Sequence, residues 1–362
     1  MTTFDRHLTL RFLSAAAKTT VALLLIFVVI DFLTVRQDQV IRYGVPLAVV
    51  AEYYLTTAPT ILFQYQVAAI AVLVAGLMVL GRAAELNEVT ALLAGGVSLW
   101  RVVRGPLLAA MLLALGAFAL EETAGARLAA RAAAIDEEYL SAFSSNHRPG
   151  VSWANLEDGW SCHIIKYNRE AHTGEDVYLH RIGPDAVQEI RADRIHWDAA
   201  RGQWLLEDGR WVRFATDADW AQRVTRITQA PAPIVESPAA LFALEAPPES
   251  KSARGLRTDL EGAEARGVPT RGQWVDYHAK FARPVLIFVM MLLAVPFAMR
   301  VRRGGFAVGL GLSIGIALAY LLCFYIGMGL GQLGRLDPLP AAWLANAVFF
   351  AGALVLCRRT PT

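Results

Sequence analysis

Residues 12–33 read FLSAAAKTTVALLLIFVVIDFL, a run in which Lys18 and Asp31 are the only charges. A helix rises about 1.5 Å per residue, so about 20 apolar residues cross the roughly 30 Å of hydrocarbon in a bilayer. The segment therefore reads as a membrane span. Its downstream flank, Thr34-Val35-Arg36-Gln37-Asp38, offers no small-residue cleavage site, so the span reads as an anchor that stays. Working outward, apolar runs recur within 46–80 and at 106–120, then at 284–299, 306–330 and 341–357. The run 46–80 is too long for one straight crossing. Residues 59–80 form the span and 47–58 an interfacial approach, with Glu52, Tyr53 and Tyr54 at headgroup level. Six spans result, three on each side of a polar middle.

Composition agrees. Of 362 residues, 55% are hydrophobic and 18% charged, where a soluble domain carries about 25% charged residues. With 34 Lys+Arg against 32 Asp+Glu the net charge is +2, too small for the basic field that nucleic acid binding requires. Cys162, Cys323 and Cys357 lie far apart and form no CxxC pair, so neither a zinc knuckle nor a disulfide framework is written here. The short loops are uneven. Arg6, Arg11, Arg82, Arg101, Arg104, Arg300, Arg302, Arg303, Arg358 and Arg359 flank one side, against Arg36, Arg42 and Arg335 on the other. The positive-inside rule then places both termini in the cytoplasm and the polar middle outside. In spans five and six, Gly309, Gly311, Gly315, Gly327, Gly329 and Gly331 permit close backbone approach, within this chain or against a partner.

The polar middle changes period. Short alternating stretches at 162–167, 177–182, 187–197, 203–214 and 223–228 are of strand length. Asp208-Gly209, between Trp204-Leu205-Leu206 and Trp211-Val212-Arg213-Phe214, predicts a two-residue hairpin turn. Several such strands imply a small antiparallel sandwich or barrel. Residues 123–139 read as a helical continuation of the third span, 230–252 as a Pro-rich tether, and 258–266 as a short helix stopped by Gly267. The domain expectation is thus 1–122 and 275–362 in the membrane, with 123–274 outside. The Trp and Tyr residues of this middle fit either a domain core or a ligand groove.

Catalytic signatures are missing from the sequence: there is no GxxxxGK[ST], HExxH or GxSxG, and His163, His172, His180 and His196 have no periodic relation to a carboxylate. Asp31 is the one carboxylate inside a span, which leaves a proton relay without parts.

The loop RAAELNEVTALLAGGVSLWR (82–101) predicts a short amphipathic helix over about 84–97. Leu86, Val89, Leu92 and Leu93 sit at helical spacing, Glu88 on the polar face, and Gly95-Gly96 at the stop. Such a helix either turns back on the membrane surface or docks on a separate ATPase.

Taken with Asp5-Arg6, Glu88-x7-Gly96, His278-x-Lys280-x3-Pro284, Pro296-Phe297 followed by Arg302-Arg303-Gly304-Gly305, and Pro340-Ala-Ala-Trp343-Leu-Ala-Asn346, the chain resembles the lipopolysaccharide export permeases LptF and LptG (YjgP/YjgQ) over nearly its whole length. The resemblance implies an inner-membrane α-helical protein of six transmembrane helices with an inserted periplasmic antiparallel β-jellyroll. It implies a transport subunit rather than an enzyme, which binds no cofactor itself while ATP is used by a partner. The implied partners are a second permease subunit of the same family, an LptB-like ATPase dimer, an LptC/LptA-like periplasmic bridge protein, and lipopolysaccharide. It assigns Glu85, Glu88, Leu92, Gly95 and Gly96 to the ATPase contact and spans one and five to lateral gates. Cationic groups at the outer rim suit a phosphorylated glycolipid: Arg36, Arg42, Arg127, Arg131, Lys280 and Arg283. Asp31 joins them because LptG-like chains often carry a Lys at that register. The alternative expectation is a membrane-anchored glycolipid-binding scaffold or sensor without transport.

Overall fold

Apolar helices of spanning length occur at Phe4–Arg42, Val67–Glu85, Leu99–Ile135, Arg271–Met299, Val308–Gln332 and Pro338–Arg358 in the computed structural model of the chain. The described residues are 3–136, 139, 148–153, 156, 159–168, 171–183, 186–215, 222–238, 250–265, 270–300 and 305–359. The expected six membrane helices and separate antiparallel sheet are both present. Two compact units divide the chain: Met1–Ile135, Pro248–Arg257 and Thr270–Thr362 in one, Asp136–Pro247 and Thr258–Pro269 in the other.

In the helical unit, α1 (Thr3–Asp31) passes through a π-helical turn at Phe32–Arg36 into α2 (Gln37–Tyr43), and α3 (Leu47–Pro59) passes through another at Thr60–Gln64 toward α4 (Val67–Glu85). The second span therefore differs from the expected 59–80. Tyr65 N–H bonds to Thr60 O at 3.3 Å, closing the wide turn, and Gln66 adopts φ +62° before α4 begins. That left-handed residue ends one helix and starts the next. Then come α5 (Glu88–Ala94), α6 (Leu99–Leu120), a third π turn at Glu121–Gly125, and α7 (Ala126–Ile135), which continues the third span as expected.

After the β unit, α8 (Ala253–Ala265) starts earlier than the predicted 258, because two acceptors cap it. Glu122 accepts the Ala253 N–H at 2.8 Å and Ser252 Oγ the Gly255 N–H at 3.1 Å. The predicted stop at Gly267 and residues 239–249 of the tether lie outside the described residues. The last three spans are α9 (Arg271–Arg300), α10 (Gly305–Gln332) and α11 (Pro338–Arg358).

The interior of this unit is the crossing of α4 on α9. Leu73, Leu80, Met290, Met291 and Val295 are buried there, and a Cβ on Gly76 would lie 2.7 Å from Ala294 Cβ. Only glycine allows that approach. A buried polar link joins α9, α10 and α11: Tyr320 Oη donates to Asn346 Oδ1 at 2.9 Å, and Asn346 Nδ2 donates to Ala282 O at 2.7 Å.

The β unit holds β1 (Arg148–Trp153), β2 (Trp160–Asn168), β3 (Thr173–Ile182), β4 (Ala186–Asp198), β5 (Gln203–Ala215) and β6 (Gln222–Pro231), all antiparallel and neighbouring in chain order. The described strands thus form one six-stranded antiparallel sheet with its strands in chain order. The Asp208-Gly209 turn is overturned: β5 runs straight through it, and Glu207↔Arg194 and Gly209↔Ala192 keep one register. The true hairpin loop is 199–202, where Asp198 Oδ1 accepts the Ala200 N–H at 3.0 Å and Gly202 has φ +63°.

Positive φ at Asp176 (+55°) and Asp208 (+48°) marks a crease instead. In β2 the buried positions run Trp160, Cys162, Ile164 and then Tyr167; in β4 they run Ile190, Ala192 and then Ile195. The in–out alternation slips by one residue opposite these two aspartates. The sheet rolls there. Strands lie about 4.8 Å apart, so β2 and β5 would be about 14 Å apart in a flat sheet. Trp160 and Trp211 ring centroids are nevertheless 6.1 Å apart, and Tyr167 and Trp204 6.3 Å. The aromatics close the roll on itself as core, and Trp204 Nε1 donates to Glu236 O at 2.9 Å.

Candidate functional site

Three features of the helical unit bear on function, and each begins with local sequence. The first is the α4–α5–α6 connection. Asn87 takes φ +59° and Gly96 φ +80°, isolating a two-turn helix between two left-handed residues. At its end Gly96 N–H bonds to Leu93 O and Val97 N–H to Leu92 O, both at 3.0 Å, the pair of bonds of a Schellman stop. Val89 is fully buried, while Leu92, Leu93 and Val97 pack on the bundle core. Leu86, predicted for the same apolar face, is instead exposed, because the chain turns at Asn87 before the helix starts.

The charged residues of this connection are divided. Glu85 pairs with Arg82 at 2.9 Å, one turn back on α4. Glu88 faces Arg11 of α1 at 3.8 Å. Asp5, near the start of α1, is buried and pairs with Arg104 of α6. Sequence reasoning missed Arg11, Asp5 and Arg104 as ties between elements. The available signal was opposite charge at the ends of consecutive spans, which does not say which ends meet. Gly95 and Gly96 face outward, and no atom outside their own turn comes near a Cβ built on either.

The second feature lies at the opposite end of the spans, where α3 presents three consecutive side chains to three partners. Glu52 accepts from Arg131 of α7 at 2.7 Å, Tyr53 Oη accepts from Arg36 at 2.7 Å, and Tyr54 Oη donates to Asp31 at 2.8 Å. The Arg36 guanidinium also lies 4.9 Å from the Tyr53 ring centroid. Of the predicted rim cations, Arg36 and Arg131 therefore sit in one belt with Asp31. Arg42 and Arg127 are exposed and Arg283 is half-buried. Lys280 is buried, its Nζ donating to Lys251 O at 2.7 Å, so it braces the segment that leads into α8. The structure brings Arg36, Arg131 and Asp31 together through α3, and Lys280 stands apart from them.

The third feature is which helices are left uncovered. The α4 and α9 spans are the most buried and α1 the least, with α10 and α11 well below α4 and α9. Val21, Leu25, Val29 and Ile30 of α1, Leu33 of the π turn that follows it, and Ile314, Leu318, Leu322 and Ile326 of α10 are all exposed. The glycines of α10 divide the same way. Gly327 and Gly331 abut Ala341 of α11, where a Cβ would lie 2.7 Å from its carbonyl O and 2.5 Å from its Cβ, respectively. Gly309, Gly311 and Gly315 meet nothing within 4 Å.

Set beside known proteins, residues 6–359 match the family model described as lipopolysaccharide export system permease LptF/LptG. No curated protein matches the chain.

Proposed function

The chain belongs to the LptF/LptG family of lipopolysaccharide export permeases, and on that premise we propose how its parts divide the work. It is a multi-pass inner-membrane permease; the finer reading is the transmembrane subunit of an ABC-type exporter. A second permease subunit of the same layout covers α1 and α10, and the lipid enters between these helices. The orientation is the one the loop arginines favour, with both termini and α5 in the cytoplasm and the β unit in the periplasm. A separate ATPase dimer receives α5, with Glu85, Glu88, Leu92, Gly95 and Gly96 at or beside the contact, and ATP is consumed there. The rim belt of Asp31, Arg36 and Arg131, with Arg42, Arg127 and Arg283, meets the phosphates and sugars of the cargo. From the membrane the lipid passes to the rolled sheet and on to a periplasmic bridge protein of the LptC/LptA kind.

The observation that carries the coupling part is the mounting of α5. Val89 is seated in the bundle core while Glu88, one residue away, faces Arg11 on the least buried span. An exposed ion pair of this kind contributes less than about 1 kcal/mol, so it steers α1 rather than holding it. The firm attachment is apolar. A push on α5 is thus transmitted to the bundle through Val89 and Leu92, and it reaches α1 at Arg11, beside Leu8 and Phe12, which are packed in the same core.

The test is co-purification of the full chain with its ATPase. Glu88→Lys and Gly96→Leu both abolish the association, whereas Glu85→Gln weakens it. Undiminished ATPase binding by both of the first two variants would remove α5 from the interface. A membrane scaffold or sensor would show no ATPase partner and would keep its function with residues 85–96 scrambled.

A further inference from the structure

A cavity of about 1080 Å³ lies between α1 and α4 at the α5 end of the bundle, with Ala298 and Gly309 at its edge. Its α1 wall includes His7, Arg11, Ser14 and Lys18. These positions are spaced i, i+4, i+7 and i+11, one face of a helix, and span about 16 Å along the axis. The facing wall carries Leu77 and Met78, so a cationic stripe looks across at hydrocarbon.

Among the described residues the charges lining the cavity are not balanced. Glu85 is the one carboxylate lining the cavity among the described residues, and Arg82 engages it at 2.9 Å. Arg11 has Glu88 at 3.8 Å. Lys18 forms no ion pair or hydrogen bond with any described residue, and it stands six residues into the apolar run 12–33. An ammonium without a counter-charge at the edge of an apolar span favours an anionic ligand or a missing partner charge. A helical side chain leans toward its own N-terminus, which carries the Lys18 ammonium toward Ser14 and Arg11.

We propose that this cavity holds one anionic glycerophospholipid of the cytoplasmic leaflet, its phosphate between Lys18 and Arg11 and an acyl chain along Leu77 and Met78. The volume is at the upper edge of single-ligand sites, about 300–1,000 Å³. A free phosphate would satisfy the cations equally well but would leave the long apolar wall without a partner. This lipid is distinct from the exported cargo, whose cations lie at the opposite end of the spans. Assignment to the cytoplasmic leaflet rests on the orientation proposed above; the lipid preference itself does not.

Native mass spectrometry of the detergent-solubilised full chain, incubated with equal phosphatidylglycerol and phosphatidylethanolamine, tests it. A charge-assisted contact predicts about tenfold more phosphatidylglycerol adduct. Lys18→Gln removes the preference and Lys18→Arg keeps it. Arg6→Gln, a cation of the same helix outside the cavity lining, leaves it unchanged. Equal adducts of both lipids on the wild-type chain would overturn the site. Displacement of the adduct by millimolar glycerol phosphate would overturn the lipid assignment in favour of a bare anion. No lipid preference, together with loss of a co-purifying second subunit in Lys18→Gln, would place a partner's carboxylate opposite Lys18 and also overturn it. The leaflet is read separately: Trp100→Cys stays unlabelled by an impermeant thiol reagent in intact cells. Labelling would overturn the orientation, and the leaflet assignment with it, whatever the lipid result.

Discussion

At the scale of single residues, backbone conformation explains positions that side-chain chemistry leaves obscure. Gly96 has φ +80° with open space where a Cβ would go, so Gly96→Ala costs only left-handed strain, about 1 kcal/mol. It should weaken ATPase association modestly, whereas Gly96→Asn, which tolerates that region, should weaken it less; a quantitative pull-down separates the two. Asp208 is the same problem inside a strand. Asp208→Gly should hold or raise the β unit's melting temperature, and Asp208→Val should lower it, read by the near-ultraviolet circular dichroism of its stacked tryptophans. Cys162 is buried and burial pushes its thiol up to about 12. A thiol raised in the folded state stays protonated while the unfolded one, near 8.5, ionises. Its contribution to stability is thus complete below about pH 8.5 and is lost as pH rises toward 12. At pH 8 an alkylating reagent should modify Cys162 far more slowly in the folded chain than in urea. Equal rates would mean the roll is open.

At the scale of elements, hydropathy made the spans legible because each must satisfy its backbone internally across the same thickness. Their interruptions were not legible. The break after the π turn at Thr60–Gln64 coincides with Gln64-Tyr65-Gln66, a short polar interruption that the run's overall hydropathy masks. Strand β1 was missed because RPGVSW has neither alternation nor β-branched density, and it is held as a strand by pairing with β2. Asp208-Gly209 was read as a two-residue turn with positive φ at both positions, but only Asp208 has it, and the strand continues. A positive φ turns a chain back only if both flanking runs can pair with each other. Here each has a better partner in β4 and β6. Gly209 itself is required by closeness, since a Cβ there would stand 2.5 Å from Arg191 O. In the rim belt, charge and loop position pointed to Arg36 and Arg131 and placed Glu52 and Tyr53 at headgroup level, but the sequence did not say which of them would meet.

At the scale of the whole molecule, the separation of covered from uncovered helices carries most of the functional weight. The two sets of glycines on α10 make opposite predictions. Gly331→Leu collides with Ala341 and Val275 within the chain, and should lower the folded yield and melting temperature with or without a partner. Gly315→Leu meets open space, and should leave the isolated chain's melting temperature unchanged while reducing recovery of the second permease subunit. Similar behaviour of the two variants would mean that α10 has no partner face. In the buried link, Asn346→Leu leaves the Tyr320 hydroxyl and the Ala282 carbonyl without their shared partner, a loss of about 1–3 kcal/mol that a detergent melt would register. The central claim is that α1 and α10 form the wall along which lipopolysaccharide moves. Photocrosslinking in intact cells from Leu25 and Val29 of α1 and from Leu318 and Leu322 of α10 tests it most directly. Lipopolysaccharide adducts are expected at positions on both helices, lost when Glu88→Lys is added. Crosslinks only to phospholipid or protein, at every one of these positions, would contradict it.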